Sequence, residues 1–526
     1  MILINQLIAQ NVRDFFLAPG SRSTPLAIAL ARHPEVRIHR HFDERGLGFY
    51  AAGFGLGKEA PAALVVTSGT AVGNLTPAIM EAHHASIPLI ILTADRPQEL
   101  REVSANQTTD QCKMFQNFVR WQCEIDLSMP LEAIRSRAAQ AVFRAKFPHP
   151  GPVHINCPFR EPLYENALSP PALQTPISLE TSSPSTGSPK NLPSRGICIV
   201  GRLPNRSDIN AVLQFAHRLK WPVFADLLSN ARIHPSDELI KHYDWLFWNL
   251  PPRPDCVVHF GERPTSKRLM EWLTASPPKS YIHVSPHSHW VDPSALITER
   301  MFANIPSAAD CFTNTPDEHW LSSWTTRDQI PPIDALFTET SAINTIAKLP
   351  LDEWAIFLAN SMPIREADWF LFPQKCQGFF ANRGLSGIDG NIATICGLTL
   401  GLKAPVIGIL GDMTTLHDLN SLALLKNAAE PIILIVSNNN GCGIFSHLSV
   451  APDPDFETLF GFPHGLTFEH AAQMFHLAYA SVDTIESLDT ALRTALQAKK
   501  SCLIEMKTCR TQNHAHHKKM KLCCTS

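Results

Sequence analysis

Short apolar runs alternate with helical patterns along most of the chain, and polar turns follow the runs. In the first third, the apolar runs span residues 15–18, 62–67, 89–93 and 153–155. The first three are followed by turns rich in Gly, Ser, Asp or Arg, at residues 19–22, 68–70 and 94–97. Continuous apolar runs of this length are typical of buried parallel strands. The pattern therefore predicts a doubly wound parallel sheet with functional loops along one edge.

The same alternation recurs in two further blocks. A stretch rich in Pro, Ser and Thr at 169–195 predicts an interdomain linker. The second block begins with the apolar run 196–201 and contains the strand-like runs 256–260 and 281–284. We therefore predict an α/β fold with three doubly wound, mostly parallel-sheet domains and a disordered tail. The predicted boundaries are 1–168, 196–332 and 333–510 for the domains and 511–526 for the tail.

Composition narrows the classes of function. The 526 residues include 44% hydrophobic and 18% charged residues, which is typical of a folded protein of several domains. A net charge of -3 gives no electrostatic reason to bind nucleic acid or an anionic membrane. No apolar run approaches the length of a membrane span, so we expect a soluble, cytoplasmic protein. The thirteen cysteines include no Cys-x-x-Cys pair, which argues against a disulfide framework or a zinc site.

Two strand ends in the third block carry oxygen ligands. Residues 405–410 read as a buried strand, and Asp412 follows it; a helix is predicted over 416–427. The next strand, 431–436, runs into a cluster of asparagines that includes Asn439. Ligands bind at the carboxyl ends of such strands, so Asp412 and Asn439 should converge. A carboxylate, an amide oxygen and a backbone carbonyl suit Mg²⁺ bound to phosphate oxygens. The spacing resembles the diphosphate-binding motif of thiamine diphosphate enzymes.

A carboxylate in the first block fits the same cofactor. Glu44 precedes a helix predicted over 46–56. Alone, such a residue is most often an ordinary carboxylate at a helix N-terminus. Beside a diphosphate motif, it is a candidate for the acid that thiamine diphosphate requires at N1′ of its aminopyrimidine. The turn at Ser68 and Gly69 either caps a helix or lets a ligand approach backbone amides.

Arginines occupy several of the predicted turns. Arg22, Arg96 and Arg383 all lie in turns that contain Gly, Ser or Asp. A single arginine of this kind is most often a surface residue, but three suggest a site for substrates with several carboxylates. Arg365 and Lys267 are further candidates. By contrast, the glycines at 53, 55 and 57 lack the spacing of a dinucleotide loop and predict close packing of a helix.

With these residues placed, the chain resembles the family of 2-succinyl-5-enolpyruvyl-6-hydroxy-3-cyclohexene-1-carboxylate synthases, the thiamine diphosphate enzymes of menaquinone biosynthesis. The resemblance is most specific at residues 18–25 (APGSRSTP), 41–48 (HFDERGLG), 93–97 (TADRP) and 382–390 (NRGLSGIDG). These motifs lie in the first and third blocks. The second block resembles the family only weakly outside Lys267 and Arg268.

The resemblance implies decarboxylation of 2-oxoglutarate on thiamine diphosphate and 1,4-addition of the succinyl carbanion to isochorismate. It makes 1–168 the aminopyrimidine-binding domain and 333–510 the diphosphate-binding domain. Glu44 would be the catalytic acid. The implied cofactor contacts are Glu44, Ser68, Gly69, Asp389, Ile444 and Phe445, and the implied ligands of Mg²⁺ (or Mn²⁺) are Asp412, Asn439 and Gly441.

The resemblance also divides the substrate contacts. It places Ser21, Arg22, Arg96, Asn106, Gln107 and Lys267 at isochorismate, and Arg365 and Arg383 at the carboxylates of 2-oxoglutarate. Domains of different subunits hold the two ends of the cofactor in this superfamily. We therefore expect a homodimer or homotetramer.

Three alternatives remain open at this stage. Another thiamine diphosphate-dependent 2-oxo acid decarboxylase or carboligase would need a smaller and more apolar acceptor pocket. A degenerate member would bind the cofactor without catalysis, although Glu44, Asp412 and Asn439 are all present. A dinucleotide-dependent dehydrogenase lacks its complete glycine fingerprint.

Overall fold

Each of the three blocks of apolar runs folds around its own parallel sheet. The computed structural model describes residues 2–126, 128–164, 189–249, 251–330, 332–333, 335–372 and 375–525. The predicted linker residues 169–188 lie outside this description. All pairings in the three large sheets are parallel, as the uninterrupted apolar runs predicted.

The N-terminal domain has a six-stranded sheet in the order β2-β1-β3-β4-β6-β5. Its strands are β1 (Asp14–Leu17), β2 (Arg37–Arg40), β3 (Ala62–Val66), β4 (Leu89–Asp95), β5 (Trp121–Glu124) and β6 (Pro152–Pro158). Its helices are α1 (Ile2–Ala9), α2 (Thr24–Ala31), α3 (Glu44–Lys58), α4 (Thr70–Asn74), α5 (Thr76–His84) and α6 (Leu131–Lys146). Every residue of β3, β4 and β6 is buried, because helices cover both faces of the sheet.

The central domain has a five-stranded sheet in the order β12-β11-β10-β8-β9, and a two-stranded ladder of β7 with β13. Its strands are β7 (Lys190–Asn191), β8 (Gly196–Val200), β9 (Val223–Ala225), β10 (Cys256–Phe260), β11 (Ser280–Ser285), β12 (Glu299–Phe302) and β13 (Phe312–Thr313). Its helices are α7 (Ile209–Leu219), α8 (Tyr243–Leu246), α9 (Lys267–Ala275), α10 (Ile305–Cys311) and α11 (Glu318–Thr325).

The C-terminal domain has a six-stranded sheet in the order β15-β14-β16-β17-β19-β18. Its strands are β14 (Ala355–Leu358), β15 (Phe379–Phe380), β16 (Val406–Gly411), β17 (Ile432–Asn438), β18 (Ala478–Val482) and β19 (Cys502–Lys507). Its helices are α12 (Glu339–Ile346), α13 (Met362–Phe370), α14 (Asn391–Leu402), α15 (Asp412–His417), α16 (Leu422–Leu425), α17 (Glu469–Met474), α18 (Ile485–Ala498) and α19 (Arg510–Thr525).

Two local predictions in this domain are wrong. The predicted helix over 416–427 is interrupted, because the buried carboxylate of Asp418 accepts hydrogen bonds from the Ala393 N–H and the Ser421 hydroxyl. The tail predicted to be disordered from 511 onward forms α19 instead. That helix buries His517 beside Glu366, and a composition-based prediction could not anticipate this contact.

The glycines of α3 pack this helix directly against α14 and so join the N-terminal to the C-terminal domain. A Cβ atom on Gly53 would lie 2.1 Å from the Thr394 carbonyl oxygen. A Cβ atom on Gly397 would lie 2.0 Å from the Tyr50 carbonyl oxygen. Glycine is therefore required for this approach of two helix backbones. The prediction of close packing, rather than a dinucleotide loop, agrees with this contact.

Among the described residues, no helix combines the length and the apolar character needed to cross a membrane. In the part of the chain that the structure describes, the cysteines form no disulfide bonds.

Candidate active site

A cavity of about 330 Å³ opens beyond the carboxyl ends of β14, β16 and β17. Among its lining residues are the sequence-predicted Arg365, Arg383, Asp412, Asn439, Gly441, Ile444 and Phe445. Parallel strands end on the same edge of a sheet, which is why residues from three separate segments meet here. The structure thus brings together most of the predicted residues of the C-terminal domain.

Asp412 is buried at the end of β16 and begins α15. Its Oδ1 accepts a hydrogen bond from the Met413 N–H at 2.7 Å, and its Oδ2 accepts one from the Gly441 N–H at 2.9 Å. The Nε2 atom of His464 lies 3.1 Å from Oδ2. These contacts orient the carboxylate toward the turn after β17, where the second predicted ligand stands.

Asn439 lines the cavity and is buried. Its Nδ2 atom donates a hydrogen bond of 2.7 Å to Oε1 of Glu339. Its Oδ1 atom is buried and has no hydrogen-bond partner within the described parts of the chain. Burial and the nearby charge of Glu366 raise the pKa of Glu339 to about 7, although the bond from Asn439 opposes this shift. An unpartnered buried oxygen is costly unless something binds to it, and a metal ion would satisfy it.

The turn after Asn439 depends on glycine. Gly441 has a φ of 134°, in the region that favours glycine. A Cβ atom there would also lie 2.1 Å from the Gly461 carbonyl oxygen. In this turn the Gly441 N–H contacts Asp412, and the Gly441 carbonyl accepts a hydrogen bond of 3.1 Å from the Gly443 N–H. The following 3₁₀ turn brings Ile444 and Phe445 to the cavity wall.

Two arginines supply positive charge to this cavity. Arg383 donates a hydrogen bond of 2.8 Å to Oδ1 of Asn360, and Arg365 bonds to the Ser361 carbonyl. Burial lowers the pKa of both guanidinium groups, and the positive charge of Arg383 lowers that of Arg365 further. Two partly buried cations that repel each other favour an anionic ligand, such as a carboxylate, between them.

Asp389 does not line the cavity, although its neighbours Ser386 and Ile388 do. Its Oδ1 atom folds back over Gly387. The start of this loop is anchored by Glu81 of α5, whose carboxylate accepts bonds of 2.7 Å from the N–H groups of Gly384 and Leu385.

The predicted residues of the N-terminal domain form a second cluster, around the turn after β3. The Arg96 guanidinium hydrogen-bonds to the Ser68 hydroxyl and, at 3.0 Å, to the Gln107 carbonyl. Gln107 donates in turn to the Ser68 carbonyl at 2.8 Å. The Gly69 N–H donates to the side chain of Gln111 at 3.0 Å. Burial lowers the pKa of Arg96, as does the positive charge of nearby Arg22.

The remaining predicted substrate residues differ in their burial and in their distance from the cluster around Arg96. Arg22 is buried and donates to the Phe159 carbonyl at 3.0 Å, close to the cluster around Arg96. Ser21 and Asn106 are exposed. Lys267 begins α9 with an 83% exposed side chain that pairs with Glu271. The structure therefore does not bring Lys267 to either the cavity or the N-terminal cluster, and its substrate role stays a prediction.

Glu44 is the first residue of α3 and is partly buried. The Asp43 carboxylate caps this helix by accepting bonds from the N–H groups of Arg45 and Gly46. Arg45 also bonds to the His417 carbonyl at 2.7 Å, so the start of α3 rests on α15 of the same chain. Glu44 is not among the residues that line the cavity.

The three domains match three family models. The model for the N-terminal TPP binding domain of thiamine pyrophosphate enzymes covers residues 1–114. The model for the middle domain covers 186–358, and that for the C-terminal TPP binding domain covers 367–506.

Relatives with one shared name match almost the whole chain. A 2-succinyl-5-enolpyruvyl-6-hydroxy-3-cyclohexene-1-carboxylate synthase of Salinibacter ruber is 36% identical over 99% of this chain and 95% of its own length. The synthase of Rubrobacter xylanophilus is 36% identical over 99% and 96%, and that of Bacillus velezensis is 35% identical over 98% and 95%. The chain belongs to this family. The resemblance and the α/β fold inferred from the sequence are thereby confirmed.

Three residues in or beside the cavity were not predicted from the sequence. Glu339 precedes Asn439 by 100 positions, and only the tertiary structure brings the two side chains together. His464 belongs to no sequence motif, yet its Nε2 atom contacts the carboxylate of Asp412. Asn360, which holds Arg383, follows β14 in the same way that Asp412 follows β16, so its position at a strand end was the one available clue.

Proposed function

We propose that this protein decarboxylates 2-oxoglutarate with thiamine diphosphate and adds the succinyl unit in 1,4 fashion to isochorismate. The product would be 2-succinyl-5-enolpyruvyl-6-hydroxy-3-cyclohexene-1-carboxylate. The observation that carries the proposal is a single cavity that combines a set of oxygen ligands with two partly buried arginines. The names of the near full-length relatives support the same reaction.

Asp412, Asn439 and Gly441 fit a divalent metal, for which we propose Mg²⁺ or Mn²⁺. The buried, unpartnered Oδ1 of Asn439 supports this assignment, as does the adjacent carboxylate of Asp412. Hard oxygen ligands of this kind suit a cation that also binds phosphate oxygens. Thiamine diphosphate, when bound, supplies the electron sink for decarboxylation, and the protein orients the reactants.

We assign the substrate carboxylates to the arginines. Arg365 and Arg383 are suited to the two carboxylates of 2-oxoglutarate, because both face the cavity that contains the metal ligands. Arg22, Arg96 and Gln107, together with Ser21, Asn106 and Lys267, would bind isochorismate. The shared hydrogen bonds among Ser68, Arg96 and Gln107 support a preorganised anion site in the N-terminal domain.

Glu44 is proposed to act in a site of a second copy of the chain. It does not line the cavity of its own C-terminal domain, and Arg45 ties the start of α3 to α15 of the same chain. A symmetric dimer would bring the N-terminal domain of one chain to the C-terminal domain of the other. In that arrangement Glu44 would hold a proton at N1′ of the aminopyrimidine, and Ser68, Gly69, Asp389, Ile444 and Phe445 would contribute cofactor contacts.

The proposal is tested by measuring CO₂ release from 2-oxoglutarate in the presence of thiamine diphosphate and Mg²⁺, with and without isochorismate. Release that depends on isochorismate, with loss of isochorismate absorbance, is the expected result. Release that ignores isochorismate would instead indicate another decarboxylase or carboligase with a different acceptor. Bound cofactor with no release under either condition would contradict the proposed donor.

A further inference from the structure

Three histidines meet where the N-terminal and central domains touch. His149 lies between α6 and β6, whereas His287 and His289 follow β11. Each residue offers one ring nitrogen, and these three atoms lie within 4.8 Å of one another. The rings of His149 and His289 are stacked with their centroids 4.7 Å apart, and those of His149 and His287 are 5.4 Å apart. The two domains thus contribute imidazoles to one point.

Two of these rings form hydrogen bonds to neighbouring groups through their Nε2 atoms. The Nε2 atom of His289 lies 2.7 Å from Oε2 of Glu262, and that of His149 lies 2.8 Å from the Ser86 hydroxyl. A carboxylate that accepts the Nε2 proton leaves a lone pair on Nδ1, as in carboxylate–histidine–metal arrangements. In the described residues, the Nδ1 atoms of His287 and His289 are buried and have no hydrogen-bond partner.

The local charges are compatible with a cation. Burial lowers the pKa of His149 to about 3 and that of His287 to about 4, so both rings are neutral at pH 7. The Glu262 carboxylate adds a negative charge next to His289. Arg202 places an opposing positive charge near His287. Arg120 adds another, and its Nη2 lies 3.4 Å from His149 Nε2. That guanidinium also donates to the carbonyls of His83 and Pro150 and contacts Nε2, the nitrogen already held by Ser86.

We propose that His149, His287 and His289 bind a divalent transition metal, with Zn²⁺ as the preferred ion, and that this ion links the N-terminal and central domains. Three imidazoles suit Zn²⁺ and leave a fourth position for water or a small ligand. The same set disfavours Mg²⁺, which prefers oxygen ligands. The site is therefore chemically distinct from the cluster of Asp412 and Asn439. The 420 Å³ cavity lined by His287 and Glu262 provides a route for the ion.

Metal binding by full-length protein tests this proposal. The protein is stripped with chelator, loaded with thiamine diphosphate and excess Mg²⁺, and dialysed against about 1 μM Zn²⁺ before the bound zinc is counted. We expect wild type to retain one more Zn²⁺ per chain than His287→Ala or His289→Ala, and to gain thermal stability with Zn²⁺ where those variants do not. His319→Ala is the matched control, because this exposed histidine lies in the same domain, on α11.

Two further variants keep the test decisive. Glu262→Gln leaves all three rings in place and should weaken Zn²⁺ binding by about 10–100-fold, as expected for loss of a carboxylate behind a histidine ligand. His514→Ala tests whether the histidines of α19 form an alternative binding site for zinc. Zinc content that is equal in wild type, His287→Ala and His289→Ala would overturn the proposal. So would a loss of zinc in His514→Ala alone. Circular dichroism before zinc addition verifies that each variant is folded.

Discussion

The two halves of the candidate site differ in how the chain assembles them. In the C-terminal domain, residues from β14, β16 and β17 meet in one cavity, and Asp412, Asn439 and Arg383 line it together. In the N-terminal domain, Arg96 and Gln107 form a separate cluster around Ser68, while Glu44 lies at the start of α3 beside α15. A single sheet aligns its own strand ends, but two sheets meet only through domain or subunit contacts. The C-terminal residues therefore share one cavity within a single chain, whereas we propose that Glu44 acts in the site of a second chain.

The largest effect on cofactor binding and turnover is expected from a substitution in the C-terminal part of the site. Asp412→Ala removes the buried carboxylate that contacts the Gly441 N–H, so we expect loss of Mg²⁺-dependent cofactor binding and of nearly all turnover. Calorimetric titration with thiamine diphosphate, with and without Mg²⁺, measures this. Asp483→Ala, an exposed carboxylate of the same domain, serves as the control. Unchanged cofactor affinity in Asp412→Ala would place the metal elsewhere.

Breaking the N-terminal half should have a different signature. Glu44→Gln keeps the shape of the side chain but removes the acid, so turnover should fall by about 10²–10⁴-fold, the usual contribution of a positioned acid or base. Binding of Mg²⁺ and cofactor should remain near the wild-type level. Glu132→Gln, at the exposed start of α6, controls for a change of charge in this domain. Undiminished turnover in Glu44→Gln would remove this residue from the reaction.

Mixed subunits sharpen the comparison. If each site combines the N-terminal domain of one chain with the C-terminal domain of another, a dimer of one Glu44→Gln and one Asp412→Ala chain contains one intact site. Co-expression with two different tags and purification on both should then recover about half of the wild-type turnover. If each site forms within a single chain, neither chain is intact, and the mixed dimer should be as inactive as its parents.

Substitutions in the two groups of arginines should have smaller effects, each on the KM of a different substrate. Arg383→Ala should raise the KM for 2-oxoglutarate by about 10–100-fold, the value of a lost hydrogen bond to a charged group. Arg96→Ala should raise the KM for isochorismate by a similar factor. Each variant is the control for the other when both substrates are varied. Equal effects of one variant on both KM values would reject this division.

The smallest effect on turnover is expected from α19, behind the cavity. His517 Nε2 lies 2.6 Å from Oε1 of Glu366, and both side chains are at least 90% buried. Burial alone would lower the pKa of His517, but the charge and hydrogen bond of Glu366 raise it above 6.5. Burial alone would raise the pKa of Glu366, but His517, Asn513 and Thr340 lower it below 4.5. Removing one partner of a buried pair costs about 3 kcal/mol.

The signs of these shifts define a pH window. The contribution of His517 is complete below pH 6.5 and is lost as the pH rises through its raised pKa, while that of Glu366 is complete above pH 4.5. His517→Ala should therefore accelerate amide hydrogen exchange in α19 most between pH 4.5 and 6.5, and progressively less at higher pH. His470→Ala, an exposed histidine of the same domain, should have no such effect. A pH-independent difference would assign His517 to packing alone.

The sequence by itself determined the sheets and the polar residues at their carboxyl ends. Continuous apolar runs can be buried only with both faces covered, so they identified parallel strands, and the polar residues after β16 and β17 then had to meet at one edge. The family motifs added the expected role of Glu44. None of this depended on contacts between distant segments.

Only the tertiary structure decided which residues from distant segments of the sequence contact each other. The Oδ1 atom of Asn439 remains available because Glu339, 100 residues earlier, binds its Nδ2 atom. Helix α19 has the composition of a polar tail, but it is held in place because His517 contacts the buried Glu366. His149 meets His287 and His289 only because two domains dock there. Local composition reports the propensity of a segment, whereas these features depend on partners supplied by the fold, which no local pattern contains.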